Sequence, residues 1–253
     1  MLKLSGVIIT FNEERNIKKC LQSLVNVVDE IVVVDSFSTD QTKTICLEYD
    51  VKFIEQQFLG YIEQKNFALN RATYDHVVSL DGDEALSERL QQSIIDVKTN
   101  WQYDGYYANR FNNFCGQWIK YSDWYPNKKL RVFDKTKAEW KGINPHDRVQ
   151  LHRPKAKIGH LKGDILHWTY QTYAEMDKKT EYFSTIAAKA YFDKGKTAPF
   201  WKLFWNPFWA FFKAYILRLG FLDGKNGYRI CYQTGKITFL KYDKLRKLYI
   251  EKT

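Results

Sequence analysis

The first 80 residues predict an α/β fold with a mainly parallel central sheet. Apolar strands and helices alternate there in the order β-α-β-α-β-α-β, and this order is typical of a parallel sheet covered by helices on both faces. The strands are short runs of Val, Ile and Leu, as expected of strands buried on both sides. Beyond residue 87 the pattern becomes mixed, and the end of the chain is aromatic and basic.

Hydrophobic periodicity and capping residues place the individual elements. Strands are predicted over 4–10, 31–35, 51–54 and 77–80, and helices over 17–25, from Ser38 through Leu47 and over 56–72. Ser87 is the expected N-cap of a fourth helix. Strands over 105–114, 128–133 and 165–168 follow, and then a long helix between Thr172 and Gly195.

Charge and cysteine content restrict the class of protein. Residues 196–253 hold 12 of the 39 Lys and Arg residues but only 3 of the 29 Asp and Glu residues, so most of the net charge of +10 lies in the tail. A basic tail suits nucleic acid, an anionic membrane or an acidic ligand, and charge alone does not choose. The four scattered cysteines and the absence of a signal-peptide pattern indicate a cytoplasmic protein with reduced thiols.

A run of acidic residues directly follows the fourth predicted strand. Asp81, Asp83 and Glu84 lie within four residues, with Gly82 between the two aspartates. Carboxylates this close repel one another unless a cation lies among them, and Mg²⁺ or Mn²⁺ bridging to a diphosphate suits such ligands. Gly82 would allow a tight turn and close approach to a ligand. The alternative is a solvated acidic loop.

Polar residues also follow the other predicted parallel strands. Thr10, Asn12 and Asp35 stand at or just beyond strand ends, as Asp81 and Asp83 do. Ligands of such sheets bind beyond the carboxyl ends of the strands, so these side chains predict one site. Taken singly, Asn12 could instead cap a helix and Asp35 could form a turn. No glycine-rich dinucleotide or P-loop motif is present.

Four segments resemble the nucleotide-sugar half of the family 2 glycosyltransferases, which have the GT-A fold. They are Thr10-Phe11-Asn12-Glu13, Val34-Asp35-Ser36-Phe37-Ser38-Thr39-Asp40, Gln64-Lys65-Asn66 and Leu80-Asp81-Gly82-Asp83-Glu84. The resemblance implies a nucleotide-sugar site of Thr10, Asn12, Glu13, Asp35, Lys65 and Asp81. In it the base and ribose lie near Thr10 and Asp35, Lys65 approaches the diphosphate, and Asp83 holds Mg²⁺ or Mn²⁺. Many relatives have two successive acids where this chain has Asp35-Ser36.

The stretch from Trp140 to Asp147 contains the candidate catalytic base. Its Gly and Pro residues predict a shaped loop, and His146-Asp147 places two proton-transfer groups side by side. We predict that Asp147 deprotonates an acceptor hydroxyl; the alternative is that it only binds the loop backbone. The stretch is similar to a Trp-X-Gly…His-acid segment of lipopolysaccharide core β-glucosyltransferases. His167 is either a second metal ligand or a structural histidine.

The aromatic segment 199–221 predicts two short helices, because Asn206-Pro207 fits a cap and a first turn. It is too interrupted to span a bilayer, but Trp and Tyr beside Lys and Arg suit the headgroup zone of an anionic membrane. Alternatively, the helices fold over the catalytic domain. We therefore predict a GT-A domain over 1–168, with a nucleotide-sugar half (1–86) and an acceptor half (87–168), and a helical, membrane-associated extension over 169–253.

The resemblance implies an inverting, metal-dependent transfer of a hexose, with glucose favoured, from a UDP-sugar. The acceptor would be a hydroxyl of the lipopolysaccharide core or another membrane glycolipid, on the inner face of the cytoplasmic membrane. Two alternatives remain at this point, a nucleic-acid-binding protein and a catalytically silent membrane scaffold. The acidic edge argues against nucleic acid, because it would repel a phosphate backbone.

Overall fold

The computed structural model of the chain describes residues 2–143 and 146–252. It divides into two compact units. Unit 1 contains the residues up to Phe111 together with Asn127–Trp168, and unit 2 contains Asn112–Pro126 together with the residues from Thr169 onward. None of the helices in the described ranges combines the length and the apolar character needed to cross a bilayer.

The elements follow one another along the chain in this order. They are β1 (Leu4–Thr10), α1 (Ile17–Leu24), β2 (Glu30–Asp35), α2 (Thr42–Cys46), β3 (Lys52–Glu55), α3 (Tyr61–Arg71), β4 (His76–Asp81), β5 (Glu84–Leu86), α4 (Glu88–Thr99), β6 (Gly105–Phe114), β7 (Gln117–Trp118), β8 (Asn127–Asp134), β9 (Ala138–Ile143), β10 (His146–Leu151), β11 (Ile158–Tyr170), α5 (Tyr173–Asp193), α6 (Lys202–Phe212) and α7 (Gly224–Lys252). A π-helical turn (Lys213–Leu217) and a 3₁₀ turn (Gly220–Asp223) join α6 to α7.

The main sheet has the strand order β3-β2-β1-β4-β8-β6-β11-β5, with β7 added to β6. The strands β3, β2, β1 and β4 are parallel, and β8 pairs antiparallel with both β4 and β6. This architecture confirms the predicted α/β fold. Register pairs Thr10 with Asp35 and Ile9 with Asp81, so the three strand ends that carry Thr10, Asp35 and Asp81 meet at one edge.

The parallel strands are buried on both faces, as their apolar composition predicts. On one face Ile8 and Leu80 pack with Leu21 of α1. On the other face Val7 and Val34 pack in a second cluster that includes residues of α3 and β9. Because side chains alternate along a strand, neighbouring residues of β1 pack into the two opposite cores. This packing holds β1 in place within the sheet.

Several predicted boundaries are wrong in detail. The helix α1 ends at Leu24, and Val25 is 49% exposed rather than buried. Ser38 does not cap α2: its side chain bonds to Asp35, and the helix begins later, where the Asp40 carboxylate accepts hydrogen bonds from Thr42. The predicted caps of α4 and α5 are confirmed, since Ser87 accepts from the Leu90 N–H and Thr172 accepts from the Glu175 N–H.

The expected loop between Trp140 and Asp147 is mainly a β-hairpin. Strands β9 and β10 pair antiparallel, with Gly142 opposite Asp147; Asn144 and Pro145 lie outside the described residues. The alternation was present in the sequence, because Ala138 and Trp140 are buried while Glu139 and Lys141 face outward. A strand pairing therefore prevails over the loop preference of Gly and Pro.

Unit 2 is built from α5, α6 and α7. The prediction of two short helices around Asn206-Pro207 is wrong, because Pro207 lies inside the continuous helix α6. Helical hydrogen bonds begin at Pro199 and Phe200, and Pro207 in the interior of α6 has no N–H to donate. The unit has its own cores, one around Phe114, Met176 and Ile230 and another around Ala188 and Leu245.

Candidate functional site

The turn after β4 lies directly against the end of β1. The Gly82 N–H donates to the Ile9 carbonyl at 2.9 Å. A Cβ atom at Gly82 would lie 2.7 Å from Thr10 Oγ1 and 3.3 Å from Glu13 Cγ. Gly82 is therefore needed for the close approach of the acidic turn to Thr10, whose own hydroxyl is buried without a hydrogen-bond partner among the described residues.

We expect Gly82→Ala to lower the free energy of unfolding by about 1–3 kcal/mol, because a methyl group must be forced into this contact. Urea denaturation measures the change. The double variant Thr10→Ala/Gly82→Ala provides the control, since it removes the clashing oxygen. The double variant should lose less stability than the sum of the two single changes; strict additivity would show that the contact is unimportant.

Hydrogen bonds join the loops after β1 and β2. The Asn12 N–H donates to Ser38 Oγ at 2.8 Å, and Asn12 Oδ1 accepts from the Thr39 N–H at 2.8 Å. The fully buried Asp35 carboxylate accepts from the N–H and the hydroxyl of Ser38. Asp35 thus shapes the turn that follows β2, and Asn12 fastens this turn to the first loop.

Glu13 supports the start of α1. Its N–H donates to Thr42 Oγ1 at 2.8 Å, and its carboxylate accepts from Asn16 Nδ2 at 2.9 Å. Glu13 and the turns at Asn12 and Asp35 surround the end of β1, which carries Thr10. We call these four residues the nucleotide border.

A buried lysine joins two of the predicted site residues. The side chain of Lys65 on α3 is only 4% exposed, and its Nζ lies 3.0 Å from Asp81 Oδ1 and 2.7 Å from Asp147 Oδ2. The Trp140 ring covers the ammonium group, with its centroid 4.3 Å from Nζ. Asp147 is thus held at the strand-end edge by its ion pair with Lys65, a contact that differs from the expected alternative of bonding only to its own loop backbone.

Two arginines contact the carboxylates of Asp81 and Glu84 in the acidic turn. Arg131 Nη2 lies 3.2 Å from Asp81 Oδ2 and 3.0 Å from Glu84 Oε1, and Arg110 Nη1 lies 3.6 Å from the same Glu84 oxygen. Burial raises the pKa of Asp81, but Lys65 and Arg131 outweigh this effect and hold that pKa well below its usual range. Basic side chains therefore relieve the crowding of Asp81 and Glu84 in this structure, and the role expected of a metal ion stays a prediction.

Asp83 lies in a different environment, beside His167. Pairing of β5 with β11 sets His167 opposite Glu84, and His167 Nε2 lies 3.3 Å from Asp83 Oδ2. Both side chains are partly exposed, and a carboxylate with an imidazole is a donor set that suits Mn²⁺. The described residues contain no cluster of three or more such ligands, so a cation here would take its other ligands from a diphosphate and water.

A cavity of about 410 Å³ opens beside Lys65, Asp81 and Asp147. Its wall includes Arg110 of β6 and Lys129 and Arg131 of β8, which sequence reasoning did not select. The signal that could have found Arg131 is its position among apolar residues of a strand, since arginine is rarely buried unless it is paired. Its partners could not be identified, because they lie about 50 residues away, in the turn after β4.

Comparison with known proteins identifies the family. The model of Glycosyl transferase family 2 matches residues 5–154. The chain belongs to this family. An uncharacterized glycosyltransferase of Rickettsia typhi is 31% identical over 260 residues, covering 99% of this chain and 89% of the relative. The chain is therefore a glycosyltransferase, and the predicted resemblance and enzyme class are confirmed.

Two further comparisons concern more specific proteins. The lipopolysaccharide core biosynthesis glycosyltransferase LpsC of Rhizobium meliloti is 28% identical over 231 residues, covering 88% of this chain and 82% of LpsC. The crystal structure of S. aureus TarS 1-349 in complex with UDP-GlcNAc superimposes with a TM-score of 0.50 at 15% identity, covering 100% of this chain and 93% of that chain. The likeness to TarS shows that the two chains share a fold.

Proposed function

We propose that this glycosyltransferase moves a hexose, with glucose favoured, from a UDP-sugar to a hydroxyl of a lipopolysaccharide-core or similar membrane glycolipid, with inversion. The observation that supports the proposal most is the position of Asp147. It lies at the cavity beside the acidic turn, fixed by Lys65, where a base could meet an acceptor. Similarity to LpsC supports the acceptor class.

In the proposed reaction Asp147 takes the proton of the acceptor hydroxyl. The acceptor oxygen then forms a bond to the anomeric carbon, while the bond from that carbon to UDP breaks and its electron pair leaves with UDP. Attack from the side opposite UDP inverts the anomeric configuration. Lys65 acts as a positioning residue, because its ammonium group holds the Asp147 carboxylate in place at 2.7 Å.

The nucleotide would occupy the border formed by Thr10, Asn12, Glu13 and the turn at Asp35. Asp83 would hold Mg²⁺ or Mn²⁺, with His167 as a second ligand. A divalent cation bound there would neutralise the charge that develops on the leaving diphosphate. Asp81 contributes indirectly in this proposal, since Lys65 and Arg131 already engage its carboxylate.

A donor screen tests the proposed reaction. Purified protein is incubated with UDP-, GDP- and dTDP-hexoses, Mn²⁺ or Mg²⁺, and a lipid-linked oligosaccharide acceptor, and the released nucleoside diphosphate is measured. We expect UDP release that requires both the acceptor and the divalent cation. Absence of release from every donor would refute the proposed reaction, and release from GDP- or dTDP-hexoses alone would refute the choice of UDP.

We also propose that α6 lies in the headgroup zone of an anionic membrane. Its outer side chains are large and exposed; they include Phe204 (60%), Trp205 (58%), Phe208 (56%) and Trp209 (47%). Aromatic side chains with nearby lysines are favoured at this depth, and the basic tail adds attraction to anionic lipid. This arrangement would bring the enzyme to a membrane-borne acceptor.

Vesicle sedimentation tests the membrane proposal. We expect wild-type protein to sediment with phosphatidylglycerol-containing vesicles, less so at high salt, and Phe204→Glu/Phe208→Glu to lose most of this binding. Tyr182→Glu on α5, at a side chain that is 63% exposed, is the matched control and should bind normally. Equal sedimentation of all three proteins would contradict the assignment to α6.

A further inference from the structure

The cavity beside Asp147 has a basic wall that the proposed reaction does not use. Lys129 and Arg131 of β8 both line this cavity. Arg110 of the neighbouring strand β6 lines the same cavity. We call Arg110, Lys129 and Arg131 the basic wall.

Part of this wall consists of buried donors without acceptors. The Arg131 side chain is 4% exposed, and its Nη2 carries the contacts to Asp81 and Glu84. Arg131 Nε and Nη1, and Arg110 Nε, are buried and have no hydrogen-bond partner within residues 2–143 and 146–252. Unpaired buried N–H groups cost free energy that an oxygen of a ligand would recover.

The side chains that line the cavity include more basic than acidic groups. Burial, together with the charges of Arg110 and Arg131, lowers the pKa of Lys129 to about 8, against the opposing effect of Glu84 and Asp147. A lysine whose charged form is disfavoured by neighbouring cations is stabilised when an anion binds beside it.

We propose that the basic wall binds an anionic group of the acceptor, a phosphate or a carboxylate close to the hydroxyl that receives the sugar. The inference rests on the proposed function, in which Asp147 takes the proton of the acceptor. Because Asp147 and the basic wall line one cavity, the acceptor that meets Asp147 also meets Lys129. The diphosphate of the donor is the other possible source of such an anion.

Inorganic phosphate serves as the probe that separates the two sources. It is titrated calorimetrically into the protein alone and into protein saturated with UDP and Mn²⁺. We expect phosphate to bind in both cases, and Lys129→Met to weaken phosphate binding about tenfold, the effect of losing one charge-assisted contact. UDP affinity should stay within about twofold, since the variant leaves the nucleotide border unchanged.

Two further variants control for charge and for folding. Lys18→Met removes the same charge from an exposed position on α1 and should leave phosphate binding unchanged. Lys129→Arg keeps the positive charge and should retain phosphate binding, which a merely unfolded variant would not.

The outcomes are distinguishable. Phosphate that is displaced by UDP, together with a Lys129→Met variant that loses UDP affinity equally, would assign the wall to the donor and overturn the proposal. Phosphate binding that is absent, or unaffected by Lys129→Met, would overturn it as well. Failure of UDP to bind at all would refute the proposed function instead, and the titration of the protein alone would still show whether the anion site exists.

Discussion

Asp147→Asn is expected to lower kcat by about 10²- to 10⁴-fold, the usual cost of losing a general base. Asparagine has nearly the same shape as aspartate and can still accept a hydrogen bond from Lys65 Nζ, but it cannot take a proton. UDP affinity should therefore change by no more than about twofold. Steady-state kinetics and a UDP titration of the same preparation measure the two effects.

Glu139→Gln provides the matched control for Asp147→Asn. Glu139 lies on β9, in the same hairpin, and its exposed carboxylate pairs with Lys141 and His152. This variant should retain wild-type kcat. If Asp147→Asn also retained it, or lost UDP binding as completely as turnover, Asp147 would not be the base.

Asp83→Ala is expected to weaken UDP binding in the presence of Mn²⁺ by about 10²-fold, because the proposed oxygen ligand of the cation is lost. In the absence of divalent cation the variant and the wild type should bind UDP equally weakly. Calorimetric titrations with and without Mn²⁺ measure the difference.

His167→Ala separates the two interpretations of that histidine. If His167 is a ligand, the variant should lose part of the Mn²⁺-dependent affinity for UDP; if it is structural, only stability should fall. Asp96→Ala, at the exposed aspartate of α4 that bonds to Gln92, should behave as wild type. Wild-type UDP affinity in Asp83→Ala with Mn²⁺ present would exclude Asp83 as the metal ligand.

The strand-end edge could be predicted from the sequence, because the carboxyl ends of parallel strands lie at the same edge of a sheet. The apolar runs fix β1, β2 and β4, and their pairing then brings Thr10, Asp35 and Asp81 together. The same reasoning could not show which atoms neutralise the acidic turn. Arg131 reaches Asp81 from β8, a strand that joins the sheet antiparallel to β4, and no local pattern encodes that contact.

The position of Asp147 illustrates the second limit of sequence reasoning. Gly142 and the neighbouring proline suggested a loop, whereas pairing of β9 with β10 makes a hairpin whose strand carries Asp147 to Lys65. The sequence selected Asp147 as the catalytic base, whereas its partner Lys65 lies on a helix far earlier in the chain. Long-range ion pairs of this kind depend on tertiary packing, which periodicity does not describe.

The buried charges also show why the site can tolerate so many carboxylates. Removing one member of a buried ion pair leaves an uncompensated charge, which is far more costly than the pair itself. Lys65 and Arg131 each contact two carboxylates, so both arrangements are fixed before any ligand binds. Asp83, which has His167 as its neighbour, is the carboxylate of the turn that we propose as the ligand of a divalent cation.

Titration of UDP into the wild-type protein, with Mn²⁺ and then with excess EDTA, tests the central claim most directly. The account predicts that one UDP binds per chain with Mn²⁺ and that EDTA weakens this binding by about 10²-fold, as expected where a cation joins a carboxylate to a diphosphate. UDP that binds equally well in EDTA, or that does not bind in either condition, would contradict it.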